Sequence, residues 1–126
     1  MRVVDTSAWI EGIIKGRPGS PIANEIPARE LCIVPTIIQL ELAKWLTREA
    51  SEEQAMEVIA YTQKCIIVAL DTSIALQAAE LCHRHRLSTA DAIIYATALA
   101  QNADLLTCDA HFEGLQHVVH IPKTVG

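Results

Sequence analysis

The sequence predicts an α/β fold built on a mainly parallel sheet, and three observations carry that expectation. Short runs rich in valine and isoleucine recur without polar alternation, as strands buried on both faces of a sheet require. Longer stretches with apolar residues at helical spacing separate them. The chain has 126 residues, 51% of them apolar, which suits one core and a single domain over 1–126. Strands alternating with helices imply right-handed crossovers and a three-layer α/β/α sandwich with a central sheet of four or five strands.

Taken in order, residues 2–5 form a first strand and 7–15 a helix. The loop Gly16-Arg17-Pro18-Gly19 interrupts the pattern, and a short helix sits around Ile22. Residues 31–34 make the second strand, and Pro35 opens a helix over 36–48, a position where proline is well tolerated. Ser51, with Glu53 and Gln54 close behind, resembles a cap for a helix over 52–64. A third strand covers 65–70, helices follow over 73–85 and 89–101, and strands over 104–107 and 118–121 complete the sheet.

A net charge of −5 and a pI near 5.4 exclude a non-specific grip on nucleic acid through bulk charge. A metal ion could still supply positive charge locally. Cys32, Cys65, Cys82 and Cys108 have no C-x-x-C spacing and read as buried thiols of a reducing cytoplasm, with no secretion signal ahead of the first strand. The apolar runs fall far short of the roughly 20 residues that span a bilayer, so no membrane association is expected.

Four acids stand where elements hand their side chains to one end of the fold: Asp5, Glu41, Asp91 and Asp109. Clustered carboxylates repel one another unless a cation neutralises them, so the pattern points to a divalent metal. Asp5 ends the first strand at the carboxyl edge, where open α/β sheets bind ligands; the alternative is a cap on the helix from Ser7. Glu41 lies within the apolar stripe of Ile38, Leu42 and Trp45, where an unpaired carboxylate needs a partner; the alternative is a surface pair with Lys44 or Arg48. Asp91 suits the first turn of a helix capped by Ser88 or Thr89, but the apolar run behind it must be buried, so the acid faces a cleft. Asp109 repeats the placement of Asp5 at another strand end, or is a turn residue. Asp71 also ends a strand, but capping the helix from Ser73 explains it, and Asp104, at the opposite edge, reads as a turn residue.

The words around these acids are more distinctive than their spacing. Val4-Asp5-Thr6-Ser7-Ala8-Trp9, then Glu41-Leu42, then Ser88-Thr89-Ala90-Asp91-Ala92-Ile93-Ile94-Tyr95-Ala96-Thr97-Ala98, then Ala103-Asp104-Leu105-Leu106-Thr107-Cys108-Asp109-Ala110-His111-Phe112 run in order along nearly the whole chain. Together they closely resemble the PIN-domain family, and the short length looks like the VapC toxins of prokaryotic toxin–antitoxin pairs. The resemblance implies a PIN-like sandwich and a metal-dependent endoribonuclease. The family's acids fall on Asp5, Glu41, Asp91 and Asp109, and its accompanying hydroxyl on Thr107. Asp5, Asp91 and Asp109 would then hold Mg²⁺ or Mn²⁺, with Glu41 acting directly or through water. Thr6 and Ser7 match the opening motif and would position water or a phosphate. An RNA substrate, a homodimer and an inhibiting cognate antitoxin are implied in the same way. The stretch around Ile38 and Gln39 does not match the family, which leaves substrate contacts open.

Lys15, Arg17, Lys44 and Arg48 border the acid-bearing elements, as phosphate contacts or as a solvated face. Trp9 and Trp45 have the spacing of core or interface residues rather than base-stacking platforms. Ile10, Ile13, Ile14, Ile22 and Ile26 suit a partner groove or ordinary core packing. Of five histidines only His111 follows an acid, and it is not assigned as a ligand. Attack by water, leaving a 5′-phosphate, is expected over attack by the RNA 2′-hydroxyl, which wants a histidine base. A housekeeping PIN nuclease and a non-catalytic PIN-like binding module remain alternatives. A haloacid-dehalogenase phosphatase would need an acid at Ser7, and a receiver module built on Asp71 leaves Glu41 without a role.

Overall fold

The computed structural model describes residues 1–123 and places its first strand, β1 (Arg2–Val4), at the centre of the sheet. The last three residues of the expected domain lie outside the described ones. β1 pairs in parallel with β2 (Cys32–Pro35) on one side and β4 (Asp104–Thr107) on the other. The edges are β3 (Ile66–Val68) and β5 (Val118–His120), giving the order β3-β2-β1-β4-β5, all parallel. Val3, Val4, Ile33, Val34, Leu105 and Leu106 are fully buried, which is why these strands show no polar alternation. β3 is shorter than the 65–70 expected, because an edge strand has one neighbour only; Ile67 and Leu70 are exposed there.

Helices flank the sheet as a three-layer α/β/α sandwich. The first is short: α1 (Thr6–Trp9) passes into a π turn over Ile10–Ile14, where a regular helix over 7–15 was expected. Single 3₁₀ turns at Ala23–Glu25 and Arg29–Leu31 lead into β2, so the latter begins at Cys32 rather than residue 31. Then come α2 (Thr36–Glu49), α3 (Glu52–Thr62), α4 (Thr72–His85) and α5 (Thr89–Ala100). Three N-termini are capped as their sequences predict, with Ser51 accepting from Gln54 N–H, Asp71 from Ile74 N–H and Ser88 from Asp91 N–H. α4 ends at Arg86 in the left-handed conformation (φ 54°, ψ 38°), a place where glycine fits without strain. Every residue of α5 from 92 to 98 is buried, so this helix is part of the core. No helix among the described residues is long and apolar enough to cross a membrane.

Trp9, Trp45 and four of the five early isoleucines take the core role open to them. Trp9 and Ile22 are buried, Ile10, Ile14, Ile26 and Trp45 pack partly buried against them, and of the five isoleucines only Ile13 is exposed. Cys32 and Cys108 are buried, but Cys65 and Cys82 are half-exposed, and all four are free. Burial pushes the Cys32 thiol up to about 12 and Cys108 up to about 11, so both remain neutral thiols.

Asp104 is not a turn residue. Arg2 and Asp104 are register partners on β1 and β4, and the guanidinium donates twice to the carboxylate, at 2.8 and 2.9 Å. The same guanidinium donates to the Glu25 carboxylate and carbonyl at 2.8 and 3.0 Å. Both side chains are mostly buried, and two-point geometry of this kind is worth more than a surface pair. Arg2→Ala strands the Asp104 charge and should cost about 2 kcal/mol, lowering the thermal midpoint by roughly 7 °C. Asp104→Asn should cost about half as much, and midpoints unchanged in both variants would mean that the pair contributes nothing.

Candidate active site

The strand order reverses between β1 and β4. Leaving β1 the chain moves toward β2, whereas leaving β4 it moves toward β5, so the two departing segments part and open a crevice at the carboxyl edge. Asp5 and Asp109 stand on the two sides of that crevice, each just past the end of its strand. Asp5 is only 4% exposed, and its side chain makes no capping hydrogen bond to α1. Its Oδ2 instead accepts the hydroxyls of Ser7 and Thr107, both at 2.8 Å. Each hydroxyl is in turn held by a backbone amide: Cys108 N–H donates to Ser7 at 3.0 Å, and Asp109 N–H donates to Thr107 at 2.9 Å. A hydroxyl that accepts from an amide has its own proton free to give, so both point their hydrogens at Asp5.

The hydroxyls of Thr6 and Ser7, expected to position water or a phosphate, each donate to an acid of the site. Ser7 serves Asp5, and Thr6 donates to Glu41 Oε1 at 2.7 Å. This hydroxyl is the partner that Glu41 needs on its half-buried side of α2; Arg48 pairs instead with Glu49. Asp91 is presented by the first turn of α5, whose buried body leaves that turn facing the crevice. Asp109 caps the 3₁₀ turn Ala110–Phe112 by accepting His111 N–H at 2.9 Å.

That turn brings in a residue the sequence reading left out. His111 Nδ1 lies 3.3 Å from Asp91 Oδ2 and 3.2 Å from Asp109 Oδ1, and ligand atoms of these three residues all fall within 4.8 Å of one another. The ring itself is exposed, and its Nδ1 donates to these carboxylates in the tautomer that carries a hydrogen there. The available signal was the i+2 spacing from a strand-end aspartate, which turns a side chain back over the acid that caps the turn. Asp5 and Glu41 lie outside this tight triangle, although Asp91 is close enough to Asp5 to act on its charge. Lys15, expected to be available for phosphate, is taken by the buried Glu11 at 3.0 Å.

Burial pushes the Asp5 carboxyl from 3.8 up to about 6, and the Asp91 charge adds to the rise, against the hydroxyls of Ser7 and Thr107 that lower it. A buried carboxylate near two more, with hard oxygen donors around it, is a donor set that fits Mg²⁺ or Mn²⁺. In metal-free protein the raised value favours the protonated fold. Stability from this group is complete below pH 3.8 and is lost as pH rises through about 6, on the order of 3 kcal/mol. With EDTA present, Asp5→Asn removes that loss, so the variant's midpoint should gain roughly 10 °C on wild type between pH 4 and pH 7. Parallel pH profiles for the two proteins would contradict the buried, ionising Asp5.

The model of the PIN domain matches residues 2–118. Among solved structures, the chain is similar to a toxin-antitoxin complex from Klebsiella pneumoniae, with TM-score 0.81 and 22% identity over 98% of this chain and 100% of the other. It is similar to Mycobacterium tuberculosis VapC20, described as a Sarcin-Ricin loop cleaving toxin, with TM-score 0.75 and 18% identity over 96% and 98% of the two chains. VapBC2 from Rickettsia felis, bound to a promoter DNA fragment, follows with TM-score 0.74 and 16% identity over 96% and 97%. Among curated proteins no sequence match is found. These identities speak for the fold, and the family match spans almost all of the chain whose crevice gathers Asp5, Asp91 and Asp109. The chain belongs to the PIN-domain family.

Proposed function

We propose that this single domain is a cytoplasmic, divalent-metal-dependent endoribonuclease, the toxin of a toxin–antitoxin pair that a cognate antitoxin holds inactive. The observation that carries the reading is the convergence of Asp5, Asp91 and Asp109 in a switch-point crevice, where Asp5 is buried and already costly to ionise. Asp91 and Asp109, with Asp5 behind them, would hold the cation, and Glu41 would act from the Thr6 side. Bound there, Mg²⁺ or Mn²⁺ supplies charge neutralisation and polarises the phosphodiester.

The chain's own residues do the rest. Ser7 and Thr107 hold Oδ2 of Asp5 and so fix the orientation of the carboxylate before substrate arrives. Thr6 does the same for Glu41. Water adds to phosphorus, a carboxylate of the cluster takes its proton, and the bond to the 3′ oxygen breaks as that oxygen takes a proton from solvent, leaving 5′-phosphate and 3′-hydroxyl ends. His111 supports a second route, because its ring stands at the acids: attack by the RNA 2′-hydroxyl, which would leave a 2′,3′-cyclic phosphate.

The toxin and antitoxin roles draw support from the likeness to the Klebsiella complex and to VapC20, described as a Sarcin-Ricin loop cleaving toxin. A homodimer is proposed with them. Its candidate seam is an apolar groove of about 490 Å³ lined by Ala75, Ala78 and Cys82 on α4, Ile93 on α5, and Leu70 just before α4.

Purified protein should cleave a pool of total RNA with Mg²⁺ or Mn²⁺ and not with EDTA. Asp5→Asn and Asp91→Asn should each reduce the rate at least about 100-fold, as loss of a metal-holding carboxylate does. His111→Ala should stay within about tenfold of wild type, with 5′-phosphate ends. Cyclic-phosphate ends would replace the water route by the histidine route, and cleavage that persists in EDTA would remove the metal from the reaction.

A further inference from the structure

An acidic crevice must still attract a polyanion, so the cations at its rim decide how RNA lies across it. Among the described residues, Arg2, Lys15, Arg29, Arg48 and Arg84 are engaged in ion pairs. Lys44 and Arg86 are not. Each lines one of two cavities that flank the acids. A smaller one, about 190 Å³, is formed by Thr6, Glu41, Lys44, Trp45 and Arg48. A larger one, about 450 Å³, is formed by Arg86, Leu87, Ser88, Asp91 and His111. The two cavities share the acids' flanks, one through Glu41 and the other through Asp91.

Arg86 is also set in an unusual place. It ends α4 with φ 54°, in a backbone conformation that glycine adopts freely and arginine does not. The residues after it hold the turn firmly: Leu87 is buried, and Ser88 caps α5. Three other basic side chains, His83, Arg84 and His85, already occupy the last turn of α4, so the helix terminus has no want of a further cation. A strained arginine without an ion-pair partner, beside Asp91 and His111, is poorly explained by folding alone.

We propose that Arg86 is a substrate-contacting residue whose guanidinium binds the RNA phosphate adjoining the scissile one on the Asp91 and His111 side, with Lys44 taking its counterpart on the Glu41 side. The strand thus crosses the crevice from α2 to the turn between α4 and α5. A planar guanidinium grips a phosphate at two points, which sets the register of the backbone as well as adding affinity. This inference rests on the nuclease reading for its substrate class.

The test uses Arg86→Gly, since glycine removes the side chain while relieving the backbone, so a loss of binding has no folding explanation. The thermal midpoint of this variant should equal or exceed that of wild type. Its Kd for a short mixed-sequence single-stranded RNA in Ca²⁺ should rise about 5- to 20-fold, and the slope of log Kd against log salt should fall by about 0.7, as for one lost phosphate contact. In total-RNA cleavage KM should rise likewise with kcat within about twofold, and Arg86→Lys should recover part of the loss. Arg84→Ala, two residues away and paired with Glu80, is the control for bulk charge and should change neither value. RNA bound equally by wild type and Arg86→Gly, or weakened as much by Arg84→Ala, overturns the role of Arg86 and leaves the nuclease standing. Binding weakened only by Arg86→Gly, with no cleavage by wild type, supports Arg86 and removes hydrolysis. RNA bound by neither protein overturns both.

Discussion

Asp5 lies under two hydroxyls, each held by an amide that follows β4, and this cradle ties the ends of the two central strands together. The bonds do opposite things to structure and to charge. They satisfy five polar groups around a buried carboxylate, as a buried network must. They also compensate only part of the burial and repulsion acting on the carboxylate, which stays hard to ionise. The crevice is thus built to be complete in geometry and incomplete in charge. A cation is the natural counterpart of such a site.

The other acids inherit their positions from packing. α5 is buried almost all round, so it has no freedom to rotate, and Asp91 is held wherever the core places the first turn. Glu41 comes from α2, whose buried Ile38, Leu42 and Leu46 set the face it can show. Far from the acids, Arg2 and Asp104 lock the register of β1 against β4. A slip by one residue would put Leu106 or Cys108 where Thr107 must be, and the cradle would be lost. Stability at one edge of the sheet therefore secures chemistry at the other.

Much of this was legible in the sequence because core strands and core helices carry their signal locally. The all-apolar runs gave five parallel strands, and the caps at Ser51, Asp71 and Ser88 follow from adjacent residues. The acids at strand ends could be placed at one edge by the same logic. What escaped was set by contacts distant in sequence. Asp104 has the composition of a turn residue and becomes half of a cross-strand pair only through Arg2. Ser7 and Thr6 look like groups awaiting substrate until the amides after β4 and the carboxylate on α2 claim them. His111 reaches the acids through a 3₁₀ turn too short to leave a periodic trace.

The strand order has a consequence for how the protein is made. β1 emerges first but occupies the middle of the sheet, with β4 as its neighbour. A chain grown only as far as α5 already carries Asp5, Glu41 and Asp91, yet it lacks Thr107, Asp109 and the two amides that organise Asp5. Until those residues arrive, the first strand has one side unpaired and the acids have no common crevice. The site is thus assembled only when β4 and the residues after it pair with β1, and folding of the first half of the domain cannot by itself create it.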